Sequence, residues 1–205
     1  MATSRLEGLP SLFSFFQFHF FLAFNPLFIL SSAYPLVIMA YYDIALTHIG
    51  TLRQLGYSSV YNANDCKSRI IYAADAKSLG NMAKKPLVFF LKSYELDPGA
   101  IKAVAQNNGA FAFPLSDFVM GGENRPFSIA KKLGMARLFI KACKKEGARV
   151  ILCSMAREEF MAPSERELVF FGLLLGMEEA KAKQAISIAN IYLEKEKPVQ
   201  EGTGE

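Results

Sequence analysis

Six apolar runs of only four or five residues, at positions 42–46, 59–62, 69–73, 87–91, 110–113 and 149–153, constrain this chain more than any other feature. Most are continuous in Val, Ile, Leu and Phe rather than alternating with polar residues, as strands buried on both faces are. Residues 47–55, 77–84, 101–106 and 129–145 between them have helical composition, with Gly56, Asn108-Gly109 and Gly147 where helices should stop. Strand-length runs that alternate with helices predict an α/β fold with parallel strands.

Beyond position 153 the pattern becomes helix upon helix. Ser164 and Glu167 have the spacing of a capping box, in which each side chain satisfies the other's backbone N–H. An apolar helix over 168–175 should follow and end at Gly176. Glu178-Glu179 then opens a final helix over 178–193, where negative charge complements the helix dipole. The polar residues 198–205 are expected to be a disordered tail.

Residues 12–39 differ from everything after them: they hold 8 of the 18 phenylalanines and no Lys, Arg, Asp or Glu. The stretch is long enough to span a membrane, but Gln17, His19, Asn25, Pro26 and Pro35 interrupt it. Ser31-Ser32-Ala33 suits signal cleavage, yet Arg5 is offset by Glu7. The reading adopted is that residues 1–38 form an apolar leader outside the fold, as an extended start or an anchor. The fold then occupies 39–197, opening at Met39-Ala40.

The 205 residues, 52% of them hydrophobic, suffice for one sizeable core. A net charge of +4 and a pI near 8.9 favour an anionic partner, RNA or a lipid surface. Three cysteines without C-x-x-C spacing suggest neither a disulfide framework nor a zinc site, and an intracellular, cytoplasmic setting is expected.

Candidate catalytic groups are scarce. His19 lies in the leader, and His48 could act as a metal ligand only beside Asp43 at the end of the first strand, although a metal centre needs three or more convergent ligands. Cys143 falls on an apolar helix face and Cys153 ends a buried strand, so both read as core thiols. No phosphate-binding glycine loop or RNP-type aromatic motif occurs, and Gly121-Gly122 reads as a turn.

The basic residues say more. At about 100° per residue, Arg137, Lys141, Lys144 and Lys145 share an arc of roughly 100°, opposite Met135, Leu138, Phe139, Ala142 and Cys143. Lys131-Lys132, Arg149, Arg157, Arg166, Lys181 and Lys183 keep the C-terminal half basic. Such side chains contact phosphates with salt-dependent, sequence-tolerant affinity; a solvated helix face is the plainer alternative.

Three passages resemble one known family. Glu167-Leu168-Val169-Phe170-Phe171-Gly172-Leu173-Leu174-Leu175-Gly176-Met177-Glu178, followed by Ala182-Lys183-Gln184-Ala185-Ile186-Ser187, is similar to the two terminal helices of archaeal ribonuclease P protein component 3, the homologue of the eukaryotic thirty-kilodalton subunit. Arg149-Val150-Ile151-Leu152-Cys153-Ser154-Met155-Ala156 resembles that family's last strand, and 107–115 a preceding one. The similarity spans about 41–193 and is faint before Leu87.

The resemblance implies an α/β fold of the TIM-barrel type, close to the PHP-type barrel, with C-terminal helices. Between Phe118 and Arg149 there is room for only one substantial helix, so the expected barrel is contracted or incomplete. It also implies a non-catalytic subunit of ribonuclease P, which removes the 5′ leader of precursor tRNA. The RNA subunit performs the cleavage with its own Mg2+; this chain needs no cofactor. The implied partners are ribonuclease P RNA, precursor tRNA, a Pop5-type protein subunit and further ribonuclease P proteins, with no membrane unless the leader is an anchor. Arg166 and Lys183 match basic positions beside the family's terminal motifs and are the first expected RNA contacts. Arg137, Lys141, Lys144, Lys145, Arg149 and Lys181 follow from the charge pattern. The rival readings are a PHP-type metal-dependent phosphoesterase, a membrane-tethered structural protein and a stand-alone barrel enzyme.

Overall fold

The computed structural model describes residues 40–50, 52–119 and 126–194. The expectations for the leader, for the Gly121-Gly122 turn and for the tail fall outside them.

Among the described residues six parallel strands are interspersed with α-helices in chain order: β1 (Tyr42–Ala45), α1 (Leu52–Leu55), β2 (Ser59–Asn62), β3 (Ile70–Ala73), β4 (Val88–Leu91), α2 (Pro98–Gln106), β5 (Ala110–Pro114), α3 (Ser116–Val119), α4 (Pro126–Glu146), β6 (Arg149–Cys153), α5 (Glu165–Leu174), α6 (Glu179–Ser187) and α7 (Ala189–Leu193). Strands β1 and β2 form a two-stranded sheet, and β3-β4-β5-β6 a four-stranded one. Every ladder is parallel. The two sheets meet through residues just beyond β6: Met155 donates its N–H to the Ile44 carbonyl at 2.9 Å, and Leu46 donates to Ala156 at 2.8 Å.

The apolar runs of β4, β5 and the second half of β6 have the two-sided burial they predict, whereas β3 leaves Tyr72 57% exposed and no residue of β2 is fully buried. Val88, Phe90, Ala110, Ala112, Ile151 and Cys153 share one core with Ile44 and with α7, through Ala189, Tyr192 and Leu193. The alternate strand residues Phe89, Leu91, Phe111, Phe113 and Leu152 face the second core with α2, α4, α5 and α6. Aromatic rings fill that second core, with Tyr94 stacked on Phe113 at 5.0 Å and Phe139 edge-on to Phe111 at 5.0 Å.

The Tyr192 hydroxyl donates to the Asn108 carbonyl at 2.9 Å and accepts from Arg149 Nη1 at 3.3 Å. Asn108 precedes β5 and Arg149 begins β6, so α7 covers the N-terminal ends of these strands.

Helix boundaries depart from expectation in several places, α2 and α4 each beginning three residues earlier than expected, at Pro98 and Pro126. Of the described residues in 47–55 only Leu52–Leu55 are helical. Residues Lys77–Lys84 form 3-10 turns broken at Gly80, whose φ of +48° and ψ of −126° interrupt the coil. The final helix is divided at Ile188, after Ser187 Oγ donates back to the Gln184 carbonyl at 2.9 Å.

The C-terminal helices follow their sequence closely. Ser164 and Glu167 form the capping box, with Ser164 N donating to Glu167 Oε2 at 2.6 Å and Glu167 N to Ser164 Oγ at 3.4 Å. Gly176, at φ +81°, closes α5 as a Schellman motif: its N–H donates to Leu173 and that of Met177 to Gly172. Gly172 serves a different purpose, because a Cβ there would lie 2.6 Å from Ala182 Cβ and 2.8 Å from Leu152 Cδ1. Only glycine lets α5 approach α6 and β6 so closely.

Candidate nucleic-acid interface

Helix α4 is held against the second core by Ala136, Phe139, Ile140 and Cys143. That packing turns Arg137, Lys141, Lys144 and Lys145 outward, where all four are exposed. Leu138 departs from the expected packing face: it is 57% exposed. The helix repeat explains this, since two turns separate Leu138 from Lys145 and place it within about 20° of that solvated lysine.

A groove of about 880 Å³ runs between α4, the start of β6 and α6. Arg137, Lys141 and Lys144 line it from α4, Arg149 from β6 and Lys181 from α6, against the single carboxylate of Glu178. Its floor is apolar, built from Ile140, Ala148, Leu175 and Ala185, all buried. Low-dielectric walls beside like charges raise the local potential and focus it on an anion.

Several of these cations are held in place. Arg137 Nε donates to the Leu174 carbonyl at 2.7 Å, using a free acceptor at the C-terminus of α5. Lys144 Nζ lies 3.2 Å from Glu178 Oε1, an exposed pair that bridges the groove and is worth little in isolation. Lys181 Nζ donates to Gln184 Oε1 at 3.2 Å, and Arg149 reaches the Tyr192 hydroxyl. Lys141 is exposed at the centre of the stripe.

Three expected contacts lie elsewhere. Lys145 is exposed on the last turn of α4 but does not line the groove. Arg166 is exposed in the first turn of α5. Lys183 pairs with Glu179 at 2.6 Å one helical turn away, and this contact raises the lysine pKa and lowers that of the glutamate. An RNA phosphate at Lys183 would compete with that partner. The apolar floor was missing from the sequence reading, because its residues come from separate parts of the chain that no local pattern joins.

The possible catalytic groups are not gathered. His48 is exposed, whereas Asp43 is fully buried between β1 and the residues following β6. Among the described residues, no three His, Cys, Asp or Glu side chains are placed to hold a metal ion. Cys66, Cys143 and Cys153 are buried and in no disulfide; burial pushes the Cys143 and Cys153 thiols above their usual range. No helix among the described residues is long and apolar enough to cross a membrane.

Known protein families provide no model that matches the chain, and no curated protein matches it either.

Proposed function

We propose that this chain is a protein subunit of ribonuclease P, which neutralises and positions RNA while the RNA subunit cleaves the 5′ leader of precursor tRNA. The observation that carries the reading is the groove: five cations from three separate elements face one anion over an apolar floor. Phosphate-rich RNA is the partner such a surface favours. The passages that resemble ribonuclease P component 3 build the same region, since Gly172 sets the α5–α6 approach and Gly176 and Met177 line the groove.

The fold fits this reading as a contracted TIM-like barrel. Its strands follow one another in chain order, the residues after β6 return to β1, and the seam lies between β2 and β3. Helix α5 supports a protein partner. Leu168, Val169 and Phe171 are buried, yet Phe170, Leu173 and Leu174 on its opposite side are 60%, 44% and 42% exposed. A helix apolar all round calls for a cover on both sides. In this reading the Pop5-type subunit covers the outer one, in the cytoplasm.

The test combines the full chain with ribonuclease P RNA and the Pop5-type subunit, and measures precursor-tRNA cleavage at low Mg2+. Stimulation that requires the RNA, and that weakens in a Lys141→Ala/Lys144→Ala/Lys181→Ala variant, is expected. A folded chain that leaves cleavage unchanged would overturn the proposal.

A further inference from the structure

A second cavity, of about 450 Å³, opens where the strands end at their C-termini. Tyr72 reaches it from β3, Phe90 and Lys92 from the end of β4, Asp117 from α3, Lys132 from α4 and Arg157 from the segment after β6. The C-terminal ends of parallel strands are where α/β folds assemble ligand sites from several connections at once.

Two kinds of side chain meet there. Tyr72 is 57% exposed although its ring stacks on Phe90, with centroids 5.3 Å apart and planes 28° from parallel. Phe90 is buried, so the tyrosine ring has a fixed backing and an open side. Three cations line the same cavity. Lys132 Nζ is anchored 3.1 Å from Asp117 Oδ2 and 5.2 Å from the Phe118 ring centre. Lys92 and Arg157 are exposed and have no carboxylate partner among the described residues. The chain reaches Arg157 through Met155, a non-glycine residue at φ +50° held by its N–H bond to Ile44. A left-handed conformation of this kind persists where surrounding structure imposes it, often at a binding site.

We propose that this mouth binds a single nucleotide, with the base stacked on Tyr72 and the phosphate held by Lys92 and Arg157. A backed, exposed ring beside exposed cations is the pairing used for unpaired bases and their phosphates. The volume lies within the range of small-ligand pockets. A bare phosphate would leave the Tyr72–Phe90 stack without a purpose, and a metal ion would be repelled by the net positive rim. The nucleotide can come from an RNA strand or be free in solution, and the chemistry recognised is the same. This site uses none of the groove residues, so it stands or falls apart from the ribonuclease P reading.

The test is calorimetric titration of the full chain with adenosine 5′-monophosphate, ribose 5-phosphate and a single-stranded penta-adenylate. The monophosphate or the oligomer should bind at least tenfold more tightly than ribose 5-phosphate. Tyr72→Ala should weaken that binding roughly tenfold, the order expected for one lost base stack. Lys92→Ala/Arg157→Ala should weaken it by a similar factor, and Lys141→Ala/Lys144→Ala/Lys181→Ala should leave it unchanged. Preference for the oligomer identifies an RNA strand as the source, and preference for the monophosphate a free nucleotide. The proposal is overturned if a chain shown folded by circular dichroism binds both no better than ribose 5-phosphate, or if the two mouth variants bind as the parent does.

Discussion

Ser154 donates its backbone N–H to Asp43 Oδ1 at 2.6 Å, across 111 residues of chain, and these two are the buried polar side chains of the described core. Ile44 N donates to the same oxygen at 2.8 Å, while Asp43 Oδ2 has no partner among the described residues. The carboxylate ties β1 to the end of β6 with only half of its acceptors satisfied.

Burial pushes the Asp43 pKa from 3.8 up to about 6, against the opposing pull of the bonds from Ser154 and Ile44. Between those two values the folded chain keeps a proton that the unfolded chain releases. Stability from this group is therefore greatest below about pH 4 and falls as pH rises to 6, by on the order of 3 kcal/mol. Thermal unfolding from pH 4 to 8, compared with Asp43→Asn, checks this: the difference between the two proteins should change over that window and level off above it.

Gly172→Ala places its methyl against Ala182 and Leu152, so α5 must shift away from α6. Overpacking of this kind costs about 1–3 kcal/mol. Urea unfolding should show a lower midpoint with little change in slope, and Gly172→Val should be worse.

Tyr94 is buried in the aromatic cluster, and its hydroxyl has no hydrogen-bond partner among the described residues. Removing an unsatisfied buried hydroxyl relieves a desolvation cost of about 1–3 kcal/mol, less whatever solvent contact it regains. Tyr94→Phe should unfold at the parent's denaturant midpoint or above it; a clear fall would reveal an unseen partner.

If the groove holds RNA as proposed, binding of structured RNA should weaken linearly on logarithmic axes as salt rises. Lys141→Ala/Lys144→Ala/Lys181→Ala removes three groove cations and should make that slope shallower by roughly 2–3, near one for each lost phosphate contact. Filter binding at several salt concentrations measures it. Arg166→Ala, away from the groove, reports whether the exposed first turn of α5 makes a contact of its own.

Phe170→Glu sets a charge on the outer side of α5, where Phe170 is already 60% exposed. The chain should keep its stability within about 0.5 kcal/mol, and under the proposed ribonuclease P reading it should lose association with the Pop5-type subunit in size-exclusion chromatography. Unchanged association would move the partner to another face.

The central strands were legible because burial on both faces leaves continuous apolar runs: β6 begins and ends where its run does, and β4 starts one residue inside its own. Ser164 and Gly176 were legible because caps are local chemistry. Short helices were less so. The break at Ile188 follows a side-chain bond one turn back, which composition does not encode. Of the candidate site, the α4 cations could be read from helical period, but their union with Arg149 and Lys181 depends on tertiary approach. Lys183 shows the opposite limit: its charge is plain in the sequence, and its engagement by Glu179 emerges only once the α6 rotamers are set.

Joining the first described strand to the end of the sixth also sets an order of events during translation. The emerging chain presents β1 to β2 early, but its other flank waits for Ser154 and Met155, 111 residues and more behind Asp43. Until then that flank displays unpaired N–H and C=O groups, the template on which stray strands pair. So distant a closing contact makes for slow folding, and a nascent chain stalled before residue 154 should be a client for chaperones rather than a smaller working protein.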